Sequence, residues 1–503
     1  MESEFLNDQR AYVNDLSALL SRMSNPRAGS VSVSLKATIR AMPAWGKYPW
    51  RDLDIESIKT TNLGALKFLC FIPIRILQSL AYLVAKYFHY LPYRKTKGIS
   101  KSLTKLSFFS PGIHLEEFVD REVSGFWGDV KFLEPRLKSD ANWFLIPYKP
   151  SGMSHKKVAK QIVNIQHKSS FSIFPIAALL NLVTLAKACS RVIKFHYYAG
   201  LCAFREIISL EKAELLWILD SHNLGTGIAR VELNKCLIES TLSRFKPDKY
   251  VFHLMEGQSW EIALINQAKR VNKKTIGVIH TPLRKQDSQI LNYLLHEDDE
   301  AFASKIERIL CPSEDSVKYL QNLGISSSRL LLVEAQRFSP HSTNSQHAYS
   351  STSRKMLYVA DASSTNSEFF QLQILKYLET VGTEELDVHI QYHPSGIPAV
   401  SNLIKSWNSK DSGVWGLVVF GPETSAYLQP DFANCNIRIF NPKFFEFKVP
   451  TEKTPGIPLI EDLSQVLESM LNPFVLGDRT NSLIYRNSNF LQWRKVIHEI
   501  FES

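Results

Sequence analysis

The sequence lacks the cysteine patterns of disulfide-rich and zinc-binding proteins. Its six cysteines are scattered over 503 residues, with no CxxC pair and no second Cys or His at zinc-ligand spacing. Most lie in apolar or helical stretches, where a small buried thiol is the ordinary explanation. Scattered thiols suit a reducing compartment, and the first residues lack the basic-then-apolar order of a signal peptide. These absences predict a cytoplasmic protein.

Several motifs of nucleotide and hydrolytic chemistry are also missing. There is no Walker A sequence, no GxGxxG after the first strand, no HExxH and no GxSxG. The C-terminal half has no DxD-type acidic pair at a strand end. The acidic run 298–300 lies in a polar segment, and we interpret it as a solvated surface. The sequence therefore predicts no metal site and no resident cofactor.

Positive charge is concentrated at one end of the chain. The formal net charge is +10, and residues 1–110 hold 16 Lys/Arg against 7 Asp/Glu, a net of +9. An enzyme acting on nucleic acid would be expected to spread basic residues along its cleft. The charge pattern therefore predicts no nucleic-acid partner.

The most apolar stretch is Leu63–Tyr90, with Pro73 and Arg75 near its middle. On a helical wheel, five polar residues fall within a sector of about 120°. They are Lys67, Arg75, Gln78, Ser79 and Lys86. This pattern is typical of a helix lying in a membrane interface, and the basic cluster that follows can meet anionic lipid. We predict that residues 63–105 contact the anionic inner face of the plasma membrane; a buried amphipathic helix and a transmembrane helix are the alternatives.

After the apolar stretch, short strands alternate with helices, which predicts parallel sheets. The alternation stops in a Ser/His/Thr/Asn-rich stretch and then restarts. We predict an α/β fold of two Rossmann-like domains with a basic, apolar N-terminal helical extension. The predicted segments are the extension 1–110, a first domain 111–338, a linker 339–354, a second domain 355–480 and a C-terminal helix 481–503. Within them, helices are expected over 174–191 and 398–407.

Candidate site residues of the first domain follow predicted strands, because ligands bind at the carboxyl ends of parallel strands. Glu256 follows the strand 249–254 and stands beside Gly257, where a carboxylate can deprotonate a sugar hydroxyl. The alternative is an acid that interacts with a helix dipole. His280 and Arg284 follow the next strand and can bind a phosphate or a sugar carboxylate.

Further candidates lie toward the second domain. Arg337 can contact an anionic donor, or it can form a structural pair with Glu334. His393 ends a strand of the second domain and suits a nucleotide phosphate. Thr424 and Ser425 open a predicted helix, whose N-terminus binds anions, although Ser and Thr are also ordinary helix caps.

Four segments carry a family resemblance that covers roughly 115–440. Leu254–Glu261, Gly277–His280, Ile309–Glu314 and Val333–Phe338 resemble proteins of surface carbohydrate (O-antigen) biosynthesis. The most specific part is the block that contains Glu256. The resemblance implies a GT-B-like glycosyltransferase.

A more distant similarity is to bacterial sialyltransferases and related ulosonic-acid transferases. Their acidic-Gly, His-Pro and Ser/Thr motifs are matched by Glu256-Gly257, His393-Pro394 and Thr424-Ser425. The similarity implies that Glu256 is the general base and that the other two motifs hold the CMP of the donor. The chain departs from the pattern at Arg284–Asp287, where Trp-Asp is expected, and at Gln429, where a carboxylate is common. The second departure leaves the nucleotide open.

These features together predict a metal-independent glycosyltransferase of bacterial surface polysaccharide (O-antigen or capsule) biosynthesis. It would move a sugar from a nucleotide donor, with a CMP-linked nonulosonic acid as a candidate, to a glycan or lipid-linked acceptor. Two alternatives are a polyol-phosphate transferase of the teichoic-acid type and a non-catalytic scaffold of a polysaccharide assembly complex.

Overall fold

The structure is a computed structural model of the 503-residue chain. It describes residues 64–96, 106–111, 127, 141–147, 153–168, 172–204, 227–245, 249–281, 283, 296–297, 300–336, 347–360, 364–382, 384–392, 401–407, 413–421, 424, 426–440, 457–475 and 490–502.

Strands in the first half of the chain build a seven-stranded parallel sheet. In chain order they are β1 (Leu106–Pro111), β2 (Ala141–Ile146), β3 (Ser172–Pro175), β4 (Tyr250–Leu254), β5 (Lys274–Val278), β8 (Arg308–Cys311) and β9 (Leu330–Leu332). Two short strands, β6 (His296–Glu297) and β7 (Glu300–Ala301), form a separate antiparallel pair. The order across the sheet is β3-β2-β1-β4-β5-β8-β9. Nearly every residue of β1, β2 and β4 is buried, as expected for strands covered on both faces.

A second parallel sheet repeats this arrangement. Its strands are β11 (Lys355–Val359), β12 (Asp387–Gln391), β13 (Ile404–Ser406), β15 (Leu417–Phe420), β16 (Ile437–Phe440) and β17 (Leu459–Ile460). Their order is β13-β12-β11-β15-β16-β17. As in the first sheet, the first three strands in sequence lie on one side, the first of them is central, and the later strands extend the sheet from it in the other direction. A short parallel pair, β10 (Ala348–Tyr349) with β14 (Val414–Trp415), lies beside this sheet. Strand β10 falls within residues 339–354, which the sequence predicted to be a linker.

Helices connect and cover the strands in the described part of the chain. They are α1 (Gly64–Tyr90), α2 (His155–Lys168), α3 (Leu182–Phe204), α4 (Gly227–Phe245), α5 (Ser259–Arg270), α6 (Glu314–Asn322), α7 (Ser364–Val381), α8 (Gln465–Leu471) and α9 (Leu491–Glu502). Strand-helix-strand crossovers of this kind produce parallel sheets. The two sheets with the same doubly wound order confirm the predicted fold class of two Rossmann-like domains.

The first domain is larger than residues 111–338 suggest. β1 begins at Leu106, before the predicted boundary, and it lies centrally in the sheet. Helix α1 packs on α3, with Leu83, Tyr90 and, just beyond the helix, Tyr93 in the core of the first domain. No helix within the described residues is long and apolar enough to cross a membrane.

The C-terminal helix returns to the first domain. Trp493, Ile497 and Ile500 of α9 belong to the first domain's core. Buried Glu334, just after β9, accepts hydrogen bonds from the backbone N–H groups of Gln492 and Trp493 at 2.9 and 3.0 Å. A carboxylate at a helix N-terminus satisfies otherwise unpaired N–H groups and interacts favourably with the helix dipole.

Of two predicted helices, the first is partly right and the second is wrong. The stretch 174–191 contains the end of β3, a 3-10 helix Ile176–Leu179 and only the first part of α3. The stretch 398–407 contains the edge strand β13 in place of a helix. Only Ile404 of β13 is buried, so the strand lacks the alternation of apolar and polar residues that would identify it.

Candidate functional site

Glu256 stands in a turn that the fold holds in place at the carboxyl end of β4. Gly257 has φ of 70°, a left-handed conformation that glycine adopts without a Cβ penalty. Behind the turn, the buried Glu261 accepts hydrogen bonds from the backbone N–H of Glu256 at 3.0 and 3.3 Å and of Gln258 at 3.1 Å. Glu261 and Gln258 form a capping box at the start of α5. The backbone that carries the Glu256 carboxylate is therefore fixed.

His280 meets Glu256 from the next strand. It follows β5, the neighbour of β4, and its Nε2 lies 3.2 Å from Glu256 Oε1. The Glu256 side chain is 23% exposed, whereas the His280 side chain is 8% exposed. The carboxylate is therefore the member of the pair that a ligand can reach, with the imidazole behind it. The pairing of these two predicted site residues is a new observation of the structure.

A neutral, tightly packed layer lies next to the pair. His253 on β4 is fully buried, and burial lowers its pKa to about 4, so its imidazole is neutral at physiological pH. Its Nδ1 donates to the Leu254 carbonyl oxygen at 2.7 Å. On β5, a Cβ on Gly277 would collide with the Met255 side chain. Glycine at position 277 therefore lets the Met255 side chain pack against β5 without shifting, and Met255 leads into the Glu256 turn.

The topology places Glu256 where α/β sheets bind ligands. β1 and β4 are neighbours, but the chain continues from β1 to β2 on one side and from β4 to β5 on the other. Connections that diverge in this way open a crevice at the carboxyl ends of the two central strands. Glu256 follows β4 directly, so it lies at the edge of this switch point.

Thr424 occupies the matching place in the second sheet. The connections diverge there between β11 and β15, and Gly421 and Thr424 follow β15. The Gly421 N–H donates to the Val359 carbonyl at 2.9 Å, and the Thr424 N–H donates to the Gly421 carbonyl at 3.2 Å. Thr424 Oγ1 accepts from the Ala426 N–H at 3.2 Å. Its hydroxyl therefore caps a 3-10 helix of three residues, whereas the sequence suggested a longer helix.

Four predicted site residues, Arg284, Arg337, His393 and Ser425, lie outside the described residues, and their roles stay predictions. Glu334, the alternative partner of Arg337, binds the N-terminus of α9. Within the described part of the chain, no group of three or more His, Cys, Asp or Glu side chains is placed to hold a metal ion. Sequence reasoning missed Glu261, although its spacing from Gln258 is that of a capping box.

Comparison with known proteins gives no family for the chain. No family model matches it, and no curated protein matches it. Solved structures with a similar arrangement include a UDP-GlcNAc 2-epimerase from Neisseria meningitidis bound to UDP-GlcNAc, with 9% identity and a TM-score of 0.39 over 79% of this chain and 99% of that one.

Two further solved structures are similar at the same low level of identity. One is the lipopolysaccharide outer core galactosyltransferase WaaB in its apo form, with 11% identity and a TM-score of 0.39 over 79% of this chain and 99% of that one. The other is MurG from Acinetobacter baumannii, with 8% identity and a TM-score of 0.35 over 79% of this chain and 100% of that one. Likenesses this distant do not reveal what the chain binds or catalyses.

Proposed function

We propose that the protein is a glycosyltransferase that uses a nucleotide-sugar donor and needs no metal ion. The observation that carries the proposal is the Glu256–His280 pair at the switch point of the first sheet. A reachable carboxylate backed by an imidazole suits removal of a proton from an acceptor hydroxyl. A second sheet of the same order offers a second ligand crevice for the donor.

The proposed reaction is a single displacement with inversion at the anomeric carbon. The acceptor hydroxyl loses its proton to Glu256 as its oxygen attacks the anomeric carbon. The bond from that carbon to the donor phosphate oxygen breaks, and the nucleotide leaves with the electron pair. His280 hydrogen-bonds to the Glu256 carboxylate and holds it toward the acceptor. His393, Thr424 and Ser425 stabilise the charge on the leaving phosphate.

The proposed setting is bacterial surface-polysaccharide assembly on the inner face of the plasma membrane. The resemblance of the Glu256 block to O-antigen biosynthesis proteins supports this setting, and the matched His393-Pro394 and Thr424-Ser425 motifs support a CMP-linked nonulosonic acid as donor. The acceptor would be a glycan or a lipid-linked sugar. Arg284 and Arg337 would contact anionic groups of the substrates.

The substitution Glu256→Gln tests the proposal, because an amide keeps the shape of the side chain and cannot accept the proton. We expect kcat to fall by about 10²–10⁴-fold, the usual contribution of a general base. The assay measures nucleotide release from a panel of CMP-, UDP- and GDP-linked sugars, with a lipid extract of bacterial membranes as acceptor. The control is Glu314→Gln, an exposed carboxylate in the first turn of α6.

Nucleotide binding separates the alternatives. The nucleotide that the enzyme uses should raise the thermal unfolding midpoint of the wild type and of Glu256→Gln equally, since Glu256 serves the acceptor. Near-normal transfer by Glu256→Gln would sink the mechanism. Consumption of CDP-polyol would indicate a teichoic-acid-type transferase, and no protection by any nucleotide would favour a scaffold.

A further inference from the structure

Two long stretches of the sequence contain no acidic residue at all. Residues 57–115 hold nine Lys/Arg and no Asp or Glu, and residues 141–204 hold eight Lys/Arg and again no Asp or Glu. Since the whole chain has 49 acidic residues in 503, their absence from both stretches marks these segments as distinct in charge.

The fold brings these two acid-free segments together on one side of the first domain. Helix α1 from the first stretch packs along α3 from the second. Ser79 Oγ lies 3.3 Å from His196 Nε2, and both side chains are buried. Beyond the end of α1, the Arg94 guanidinium donates to the Leu180 carbonyl at 2.7 Å, so the two helices run antiparallel.

Helix α1 buries Ser79, Leu83 and Tyr90 and presents an apolar stripe outward. Ser79 is buried against α3, whereas the residues on the opposite side of the helix are exposed at a spacing of three and four. The exposed apolar residues of this stripe are Ile74, Leu77, Ala81, Val84, Ala85 and Phe88. Leu77 is 65% exposed and Phe88 is 61% exposed. A helix packed on a soluble domain ordinarily presents polar residues to solvent.

Helix α3 also exposes apolar side chains. At its start, Leu182 and Val183 are 67% and 78% exposed, close to the end of α1 that Arg94 ties to Leu180. Farther along, Ile193 and Tyr197 are also exposed. Several large apolar side chains exposed on two packed helices indicate an interaction site.

Exposed basic side chains lie on or next to the same helices. Exposed Arg94 and Lys95 follow α1, and exposed Lys156 and Lys157 begin α2, whose His155 ring is 5.5 Å from the His89 ring of α1. Lys194 on α3 is exposed beside Ile193. The acidic groups packed behind α3 come from α4, where buried Glu239 binds Lys187 and Arg191.

We propose that this composite face, formed by α1, the start of α2 and α3, docks on an anionic lipid bilayer. Apolar side chains would enter the headgroup region while the lysines and arginines meet lipid phosphates. A second copy of the chain is disfavoured as the occupant, because two acid-free basic faces repel. A nucleic acid would leave the aliphatic stripe without apolar contact.

Vesicle flotation of the full chain tests the proposal. We expect the wild type to float with vesicles of phosphatidylcholine and phosphatidylglycerol and to stay unbound with phosphatidylcholine alone. The paired substitution Leu77→Gln with Phe88→Gln should weaken binding at least tenfold. The pair Leu182→Gln with Val183→Gln on α3 should also weaken it, and Lys156→Gln with Lys157→Gln should steepen the loss with added salt.

Each substituted side chain is exposed, so folding is expected to persist, and unchanged circular dichroism and unfolding midpoints would establish this. Leu471→Gln is the matched control, since Leu471 is 80% exposed on α8 of the second domain. Wild-type binding by the α1 pair overturns the proposal. Wild-type binding by the α3 pair would show that α3 is not part of the face. If the wild type binds no vesicles but forms a dimer in sedimentation, and the α1 pair abolishes that dimer, the face binds a second copy of the chain instead.

Discussion

The contact between Glu256 and His280 suggests a different role for each residue in the proposed site. With 3.2 Å between Oε1 and Nε2, the two groups are in direct contact, and the carboxylate is the more exposed of the two. In this position the imidazole can orient the carboxylate and stabilise it after the carboxylate has accepted the proton. His280 is therefore a positioning residue in our mechanism, and Glu256 is the group that meets the acceptor.

A double-mutant cycle on Glu256 and His280 tests whether the two residues act through the same carboxylate. His280→Ala should lower kcat/KM by about tenfold or more, and His280→Gln, which retains an N–H donor, should recover part of the loss. Because both residues act through one carboxylate, adding His280→Ala to Glu256→Gln should cost little beyond Glu256→Gln alone. Fully multiplicative losses in kcat/KM would show that the two residues act independently.

Sequence reasoning could identify Glu256 and His280 but not their contact. Both residues follow apolar strands, which is enough to predict that they lie at one edge of a parallel sheet. Their proximity depends on β4 and β5 being neighbours, and that depends on how the crossovers are arranged in three dimensions. The burial of His253 and the close packing of Met255 on Gly277 likewise become visible only when the strands are paired.

At the scale of elements, the predictions fail where local pattern and tertiary environment differ. β1 (Leu106–Pro111) directly follows the basic cluster and ends in proline, yet it is a central strand because β2 and β4 cover both of its edges. The edge strand β13 buries only Ile404 and carries no alternating pattern. Long helices such as α4 and α5 are predicted well, because their apolar period is sustained over several turns.

One buried carboxylate caps α9 where the helix docks on the core of the first domain. Glu334 → Ala would leave the N–H groups of Gln492 and Trp493 without their acceptor. We expect the free energy of unfolding to fall by about 1–3 kcal/mol, the usual cost of leaving buried donors unsatisfied. Urea denaturation measures the loss, and limited proteolysis should cut the C-terminal segment faster.

A matched control is available on the same helix. Glu499 pairs with Arg308 at 2.7 Å, but both side chains are more than a third exposed. Glu499→Gln should therefore change the free energy of unfolding by about 0–1 kcal/mol. Equal effects of the two substitutions would mean that Glu334 does not anchor the helix.

At the scale of the whole molecule, the chain contains two copies of one architectural plan. The restart of strand-helix alternation after residue 354 predicts the doubling, but it does not predict that both sheets adopt the same order with a switch point beside the first strand. That shared order is what places Glu256 and Thr424 at equivalent positions. The two halves are then tied by the chain itself, which leaves the first domain after β9 and returns to it with α9.

We expect two buried histidines, His253 and His196, to make the first domain sensitive to acid. Burial lowers the pKa of His253 to about 4, and burial together with the positive charge of Arg75 lowers the pKa of His196 to about 4, from an ordinary value of 6.5. Between these pH values the unfolded chain binds protons that the folded chain does not. The free energy of unfolding should therefore fall as pH decreases from 6.5 toward 4, by at most about 1.4 kcal/mol per pH unit for each histidine.

Urea denaturation at intervals from pH 7.5 to about 4 measures the contribution of the two histidines. The wild type and two variants are compared. In His196→Gln combined with His253→Asn, the titrating groups are gone, so the fall between pH 6.5 and 4 should be shallower than in the wild type. His498→Gln is the control, since His498 is exposed on α9 and pairs with Glu502. A double variant whose pH profile parallels that of the wild type would show that other groups govern acid unfolding. A shallower profile would show that the first domain loses stability in acid through His253 in the sheet and His196 at the α1–α3 contact. His196 lies beside Ser79 there.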